Sequence, residues 1–287
     1  MPSLLETPEL PIGKILKELD FLSILSLRKT CVTLRNFIDD FKPELDGFWM
    51  QIRLLQNSIF LLIQKKSTEH FHFNYQNKEN GCLVSSYQDE GRKQKFIENL
   101  DFLDAFFIDF QLLMGFQNKI LGRFQVELDN HNTEQPGTKE KFCEHFQKIS
   151  SLIKSEDLYI TTKTCSHIPS ILSVFDSKYL KKVEIIGLGN EVLDTEKLEE
   201  MDQWKGLERL KVMGFPVRRL GIFKELRMVE AQFLAVDMEE IGILAEKQNT
   251  LKSSDSNILD LNLLPPNDLN NVYNHHFTLR IDKDPEF

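Results

Sequence analysis

Residues 180–186, LKKVEII, show the alternation of apolar and charged side chains that is typical of a short β-strand. Because successive side chains of a strand point to opposite faces, Val183 and Ile185 share one face and Glu184 lies on the other. Helical patterns precede and follow this segment, so the strand belongs to an α/β unit. This unit decides the fold class that we predict for the second half of the chain.

Similar strand patterns recur at intervals of roughly 20 to 30 residues, which is the period of leucine-rich-type solenoids. Helical patterns near 139–154, 168–176 and 195–204 separate them. Each unit is too small to bury its own apolar face, so neighbouring units must stack. We therefore predict an irregular α/β, leucine-rich-repeat-like solenoid. The predicted strands are centred on Ile160, Ile185, Val212, Ala231 and Leu261.

The first fifty residues predict a small unit of three short helices. Ile12, Ile15 and Leu16 have the spacing of residues on one helix face, and Pro43 ends the third helix because the residue before a proline disfavours helical geometry. A unit of this size buries little surface by itself. It is expected to keep an exposed apolar patch, and such patches mark partner surfaces.

Residues 51–132 form a connecting region in this prediction. We predict helices at 51–66 and 96–121, and a β-hairpin that turns at 80–81, where the sequence reads NG. The polar run at 129–141 marks a domain boundary. The overall class is mixed α and β, and the predicted domains are residues 1–50, 51–132 and 133–287.

Composition excludes several classes of function. Hydrophobic residues make up 41% of the chain, which is close to an ordinary soluble protein. The net charge is −9, and this negative charge argues against nucleic acid and anionic membranes as main partners. The four cysteines are far apart, and the N-terminus has no basic and apolar leader, so we expect a cytoplasmic or nuclear protein.

Catalytic and metal-binding motifs are not apparent in the sequence. Cys143 and His145 stand two positions apart in a helical pattern and would point about 200° apart, so they cannot share a zinc ion. His70 and His72 share a strand face, but no third ligand stands near them. Nucleophile elbows, Walker loops, GxGxxG and HExxH are also missing. We expect no metal, no cofactor and no enzymatic activity.

Two parts of the chain resemble one known family. Residues 8–43, PELPIGKILKELDFLSILSLRKTCVTLRNFIDDFKP, resemble the F-box of the large nematode F-box A family. The C-terminal part is similar to the FTH domain of that family, and NGCLV at 80–84 matches the region between the two domains. Four segments carry the FTH resemblance: 168–169, 180–185, 203–205 and 207–215.

The resemblance implies a function. The F-box would bind a Skp-family adaptor and through it a cullin, and the FTH domain would bind an unknown protein substrate. The chain would then be a substrate-recognition adaptor of an SCF-type E3 ubiquitin ligase. The alternative is a non-catalytic scaffold or regulatory module that acts without ubiquitylation. The adaptor-binding residues predicted are Pro8, Ile12, Ile15, Leu16, Leu19, Ile24, Leu25, Leu27 and Cys31.

The outward side chains of the C-terminal strands are the candidate substrate site. If the strands stack in parallel, these side chains form a ladder that mixes apolar and charged groups, which suits a protein ligand better than a small molecule. Alternatively, helices or the connecting region cover this face, and Ile186 and Met213 are core residues. The substrate-binding residues predicted are Tyr159, Glu184, Ile186, Lys211, Met213 and Glu230.

Overall fold

The computed structural model describes residues 9–19, 21–28, 30–41, 49–65, 69–88, 91–129, 137–193, 195–217 and 228–233. The helices in these ranges are α1 (Glu9–Glu18), α2 (Phe21–Arg28), α3 (Val32–Phe41), α4 (Phe102–Gly115), α5 (Thr138–Gln147), α6 (His167–Leu172), α7 (Glu196–Glu199) and α8 (Asp202–Lys205). The strands are β1 (Trp49–Leu55), β2 (Ser58–Lys65), β3 (Glu69–Lys78), β4 (Gly81–Gln88), β5 (Gly91–Glu98), β6 (Leu121–Glu127), β7 (Ser155–Thr162), β8 (Lys182–Gly187), β9 (Arg209–Val217) and β10 (Met228–Phe233). The predicted class, mixed α and β, is confirmed.

All strands of the described ranges belong to one mixed sheet in the order β10-β9-β8-β7-β6-β1-β2-β3-β4-β5. Strands β1 to β5 pair antiparallel with one another, whereas β6 to β10 pair in parallel with one another. Strand β1 joins the two halves, because it pairs antiparallel with β2 and parallel with β6. The parallel half follows chain order, but a leucine-rich-repeat-like solenoid is not established by this mixed sheet and stays a prediction.

The helix predicted over 51–66 is wrong. These residues form β1, β2 and a turn at 56–57. Ile52 and Leu54 are buried while Arg53 between them is only half-buried, which is the two-residue period of a strand. A short apolar run of this kind is compatible with a buried helix as well as a buried strand, so periodicity alone did not separate them.

The helix predicted over 96–121 is correct only in its middle. Helix α4 begins after Asp101, whose carboxylate accepts a hydrogen bond from the Leu103 amide at 2.8 Å and so caps the first turn. Phe96 instead lies in β5, and Leu121 begins β6. The predicted hairpin is confirmed, with β3 and β4 joined by a turn in which Asn80 has a φ of 62°.

Aromatic side chains fill the core between the helices and the sheet. The Phe110 ring of α4 stacks on Phe106 at 5.3 Å and on Phe146 of α5 at 6.0 Å. It also meets Phe124 of β6 edge-on at 6.2 Å. All four rings are completely buried. Helix α4, which precedes the polar run at 129–141, and helix α5, which begins within it, therefore share one core with the sheet.

Candidate functional site

The N-terminal helices are held together by a bidentate ion pair. Arg28 at the end of α2 donates from Nε and Nη2 to the two carboxylate oxygens of Asp39 in α3, at 2.7 and 2.9 Å. The hydrogen bond to Asp39 raises the pKa of Arg28. Leu34 and Ile38 bury the inner side of α3. Paired nitrogens and oxygens fix the relative orientation of two helices more tightly than a single contact.

The predicted adaptor-binding residues whose side chains the structure describes divide into three groups by exposure. Ile12, Leu16 and Ile24 are buried in the hydrophobic core, which also includes side chains of the sheet, and Leu16 is only 2% exposed. Leu19, Leu27 and Cys31 are half-buried. Ile15 is 42% exposed, at the edge of the helix face that carries Ile12 and Leu16. Pro8 and the side chain of Leu25 lie outside what the structure describes.

Val32 is a further candidate that the sequence reasoning did not include. Its side chain is 65% exposed at the first position of α3. The preceding residue, Cys31, accepts a hydrogen bond from the Leu34 amide at its Sγ, 3.5 Å away, and so caps the helix start. The position of Val32 could have identified it as a candidate, because an apolar side chain in an exposed first turn of a helix has no role in core packing.

The outward ladder predicted for the parallel strands has the expected register. Tyr159 of β7 lies opposite Glu184 of β8, which lies opposite Lys211 of β9. One step further along, Ile186 lies opposite Met213. All five side chains are half-buried. We call these five residues the outward face. Glu230 lies opposite Lys211 in β10, and its side chain is outside the described part.

The inward side chains of the same strands are core, as predicted. Ile160, Ile185 and Val212 are at most 1% exposed. Leu261, the predicted centre of the last strand, lies outside the described residues. The outward and inward positions therefore differ as the two-residue period requires.

A shallow depression of about 150 Å³ lies on the outward side of β6 to β9. Lys182 and Asp157 form an ion pair at 3.2 Å within it. Burial and the carboxylate of Glu184 raise the pKa of Tyr159, so this phenol stays protonated and can donate a hydrogen bond. The charged residues that line the depression are Arg123, Asp157, Lys182, Glu184, Arg209 and Lys211.

Histidines and cysteines do not form a reactive site in the described ranges. Burial raises the pKa of Cys82 to about 11 and that of Cys143 to about 12, so both thiols stay protonated. The rings of His70 and His72 are 6.2 Å apart. Three or more His, Cys, Asp or Glu side chains do not converge as metal ligands anywhere in the described part. None of the helices described there is long and apolar enough to cross a bilayer.

Comparison with known proteins identifies two domains. The F-box domain model matches residues 8–45, and the FTH domain model matches residues 138–274. The chain thus carries an F-box followed by an FTH domain, and the resemblance to the F-box A family is confirmed. It is 25% identical to F-box A protein 224 of Caenorhabditis elegans in a match that covers 94% of this chain and 70% of that protein. No solved structure matches the chain significantly.

Proposed function

We propose that the protein is a non-catalytic substrate-recognition adaptor of an SCF-type E3 ubiquitin ligase. The F-box docks a Skp-family subunit, which links it to a cullin, and the outward face binds a protein target. The match of the F-box model to residues 8–45 is the observation that carries this proposal. The stacked parallel strands β6 to β10 support it, since we propose that they form a short leucine-rich-repeat-like platform for the target.

Adaptor docking is assigned to the exposed apolar side chains of the F-box. Ile15 and Val32 are 42% and 65% exposed, and burying them against a partner removes apolar area from water. The half-buried Leu19, Leu27 and Cys31 extend this surface. Leu16 is a poor test residue, because at 2% exposure its replacement by Asp would disturb the folded unit itself.

The first test is Ile15→Asp. A charge placed in a desolvated apolar interface is strongly unfavourable, so we expect affinity for a purified Skp-family adaptor to fall at least about 100-fold, or roughly 3 kcal/mol. Ile108→Asp is the matched control, because Ile108 is 60% exposed on α4, outside the F-box. Affinity is measured by calorimetry, and circular dichroism checks the fold. Unchanged affinity of a folded Ile15→Asp protein contradicts the docking surface.

The alternative, a scaffold that acts without ubiquitylation, makes a different prediction for the wild-type chain. A scaffold need not bind the Skp-family adaptor. For a scaffold, calorimetry of the wild-type chain with that adaptor would show no binding, although the chain would still recover its other partners. The same calorimetry on the unmodified chain therefore separates the two functions.

The second test addresses the target surface. Glu184→Lys combined with Lys211→Glu keeps the net charge but reverses both signs on the outward face, so we expect target proteins to be lost while adaptor binding is kept. Lys181→Glu combined with Glu208→Lys is the matched control. Lys181 and Glu208 form an ion pair at 3.6 Å, and both side chains are about 40% exposed. Neither residue lines the depression. If the first double variant recovers every wild-type partner, the target site is elsewhere.

A further inference from the structure

The depression on the outward side of the sheet is basic although the whole chain is acidic. The chain carries a net charge of −9. The depression, however, is lined by four basic and two acidic side chains, a formal surplus of two positive charges. Local potentials of this kind attract ligands of the opposite sign and select against those of the same sign.

The positive charge is concentrated in one row across the strands. In the register, Arg123 lies opposite Asp157, Asp157 opposite Lys182, and Lys182 opposite Arg209. Asp157 is paired with Lys182. The side chains of Arg123 and Arg209 are exposed and form no salt bridge within the described part of the chain. We call Arg123, Lys182 and Arg209 the basic row.

The surface changes from basic to apolar along β8 and β9. The first cross-strand pair is Lys182 with Arg209, and the last outward pair is Ile186 with Met213. The oppositely charged pair of Glu184 and Lys211 lies between them. The first and last pairs are four residues apart, which corresponds to about 13 Å at the rise of a strand.

We propose that the basic row and the outward face together recognise an extended segment of a partner protein that carries carboxylate side chains and, about four residues away, a large apolar side chain. The carboxylates lie over the basic row, and the apolar side chain packs on Ile186 and Met213. An extended segment has the same rise per residue as a strand, so the two contacts match its spacing. The inference rests on the proposed function, in which this face holds the target.

A carboxylate fits this surface better than a phosphate group. Phosphate sites usually bring arginines or helix N-termini together on one anion. Here the basic side chains stand on separate strands, about 4.8 Å apart for each strand. Asp157 and Glu184 stand among them and would repel a dianion more strongly than a single carboxylate. Tyr159 adds a hydrogen-bond donor and an aromatic surface, which are typical of the core of a protein interface.

Short labelled peptides test the inference on the full chain by fluorescence anisotropy. The reference peptide carries two glutamates and, about four residues after the first, a phenylalanine. We expect saturable binding that Lys182→Glu with Arg209→Glu weakens at least about tenfold. Lys93→Glu with Lys95→Glu makes the same charge change at exposed lysines of β5 and should leave binding unchanged. Arg209→Glu alone serves if the double variant does not fold.

Several outcomes would overturn the inference. If a peptide with lysine in place of glutamate binds as tightly as the reference peptide, acidic segments are not the class of ligand that this surface selects. Binding of a phosphoserine peptide without binding of the glutamate peptide excludes the carboxylate. Tightest binding of peptides that copy residues 234–287 would make a segment of this chain the occupant.

The same experiment separates this inference from the proposed function. If no peptide binds while the Glu184 and Lys211 double variant still loses its targets, the target surface stands and the acidic–apolar class is wrong. If that double variant also keeps every target, the outward face is not the target site at all.

Discussion

His167 lies in a buried polar cluster at the start of α6. Its Nδ1 is 3.2 Å from the hydroxyl of Thr162, which is itself 3.5 Å from the carboxylate of Asp129. Asp129 accepts a hydrogen bond from the Lys163 amide at 2.7 Å and forms an ion pair with Lys139. Buried polar groups are stable only when they are hydrogen-bonded, so this cluster ties β6, β7 and α5 together.

Acid should weaken the fold through His167. Burial lowers the pKa of His167, against the opposing effect of the carboxylates of Glu140, Asp129 and Glu191, and Lys139 lowers it as well. Because the pKa in the folded state is below the ordinary value of 6.5, the unfolded chain takes up the proton first as the pH falls. The contribution of neutral His167 to stability is therefore complete above that value and decreases below it.

Urea denaturation at pH 7.5 and pH 5.5 measures this effect. We expect the loss of unfolding free energy between the two pH values to be smaller for His167→Gln than for the wild type, because the variant has no imidazole to protonate. Equal pH dependence in wild type and His167→Gln would show that this histidine is not responsible.

At the scale of single elements, helix α4 attaches the antiparallel half of the sheet to the parallel half. Its inner side carries Phe106, Phe107 and Phe110, and its outer side carries Ile108, which is 60% exposed. Phe106 meets Tyr75 of β3 edge-on at 5.5 Å. Phe110 contacts rings from α5 and β6. One helix therefore covers strands from both halves.

Phe110→Ala should be among the most destabilising single substitutions in this helix. Removing a fully buried ring loses its transfer free energy and leaves a cavity, which typically lowers the free energy of unfolding by about 3–5 kcal/mol. Ile108→Ala on the exposed side should change it by less than about 0.5 kcal/mol. Chemical denaturation of both variants measures the difference, and similar values for the two would contradict the packing of α4 described above.

Strands β1 and β2 show why an element can be missed in sequence. Residues 51–66 combine Ile and Leu at both even and odd positions, because outward residues such as Phe60 and Leu62 are also apolar. Leu62 is 9% exposed although it is on the outward side. When both faces of a strand are apolar, the two-residue period is hidden, and only pairing with β3 and β6 fixes the strand.

For the whole molecule, the continuous sheet bears on the domain boundary. The sequence predicts a boundary at 132/133, but β6, which ends at Glu127, lies between β1 and β7. A fragment that starts at residue 133 would lose this strand. It would also lose Phe110 and Phe124, on which Phe146 packs. We therefore expect the segment from β1 onward to fold as one unit, with which the F-box residues Leu16 and Ile38 share a hydrophobic cluster.

Two fragments test this expectation. Residues 46–287 should unfold cooperatively, because the sheet and its helices are complete. Residues 133–287 should show a weak circular dichroism signal and no cooperative transition, since a sheet cannot lose an interior strand without exposing its core. Cooperative unfolding of the shorter fragment would support the boundary that the sequence predicts.

The sequence by itself determined the features that depend on local pattern or on family likeness. The F-box and FTH segments, the β3–β4 hairpin and the inward alternation of β7, β8 and β9 could all be predicted, because turn residues and side-chain period act over a few neighbours. The outward register of Tyr159, Glu184 and Lys211 also followed once parallel pairing was assumed.

Only the tertiary structure decided what depends on residues far apart in the chain. It placed β1 beside β6 and so merged the connecting region with the parallel strands. It buried Ile12, Leu16 and Ile24 and left Ile15 and Val32 exposed, although all five are equally apolar in sequence. It also gathered Arg123, Lys182 and Arg209 into one row from three strands. Long-range strand pairing sets these positions, and a local pattern carries no information about which distant segment will be the neighbour.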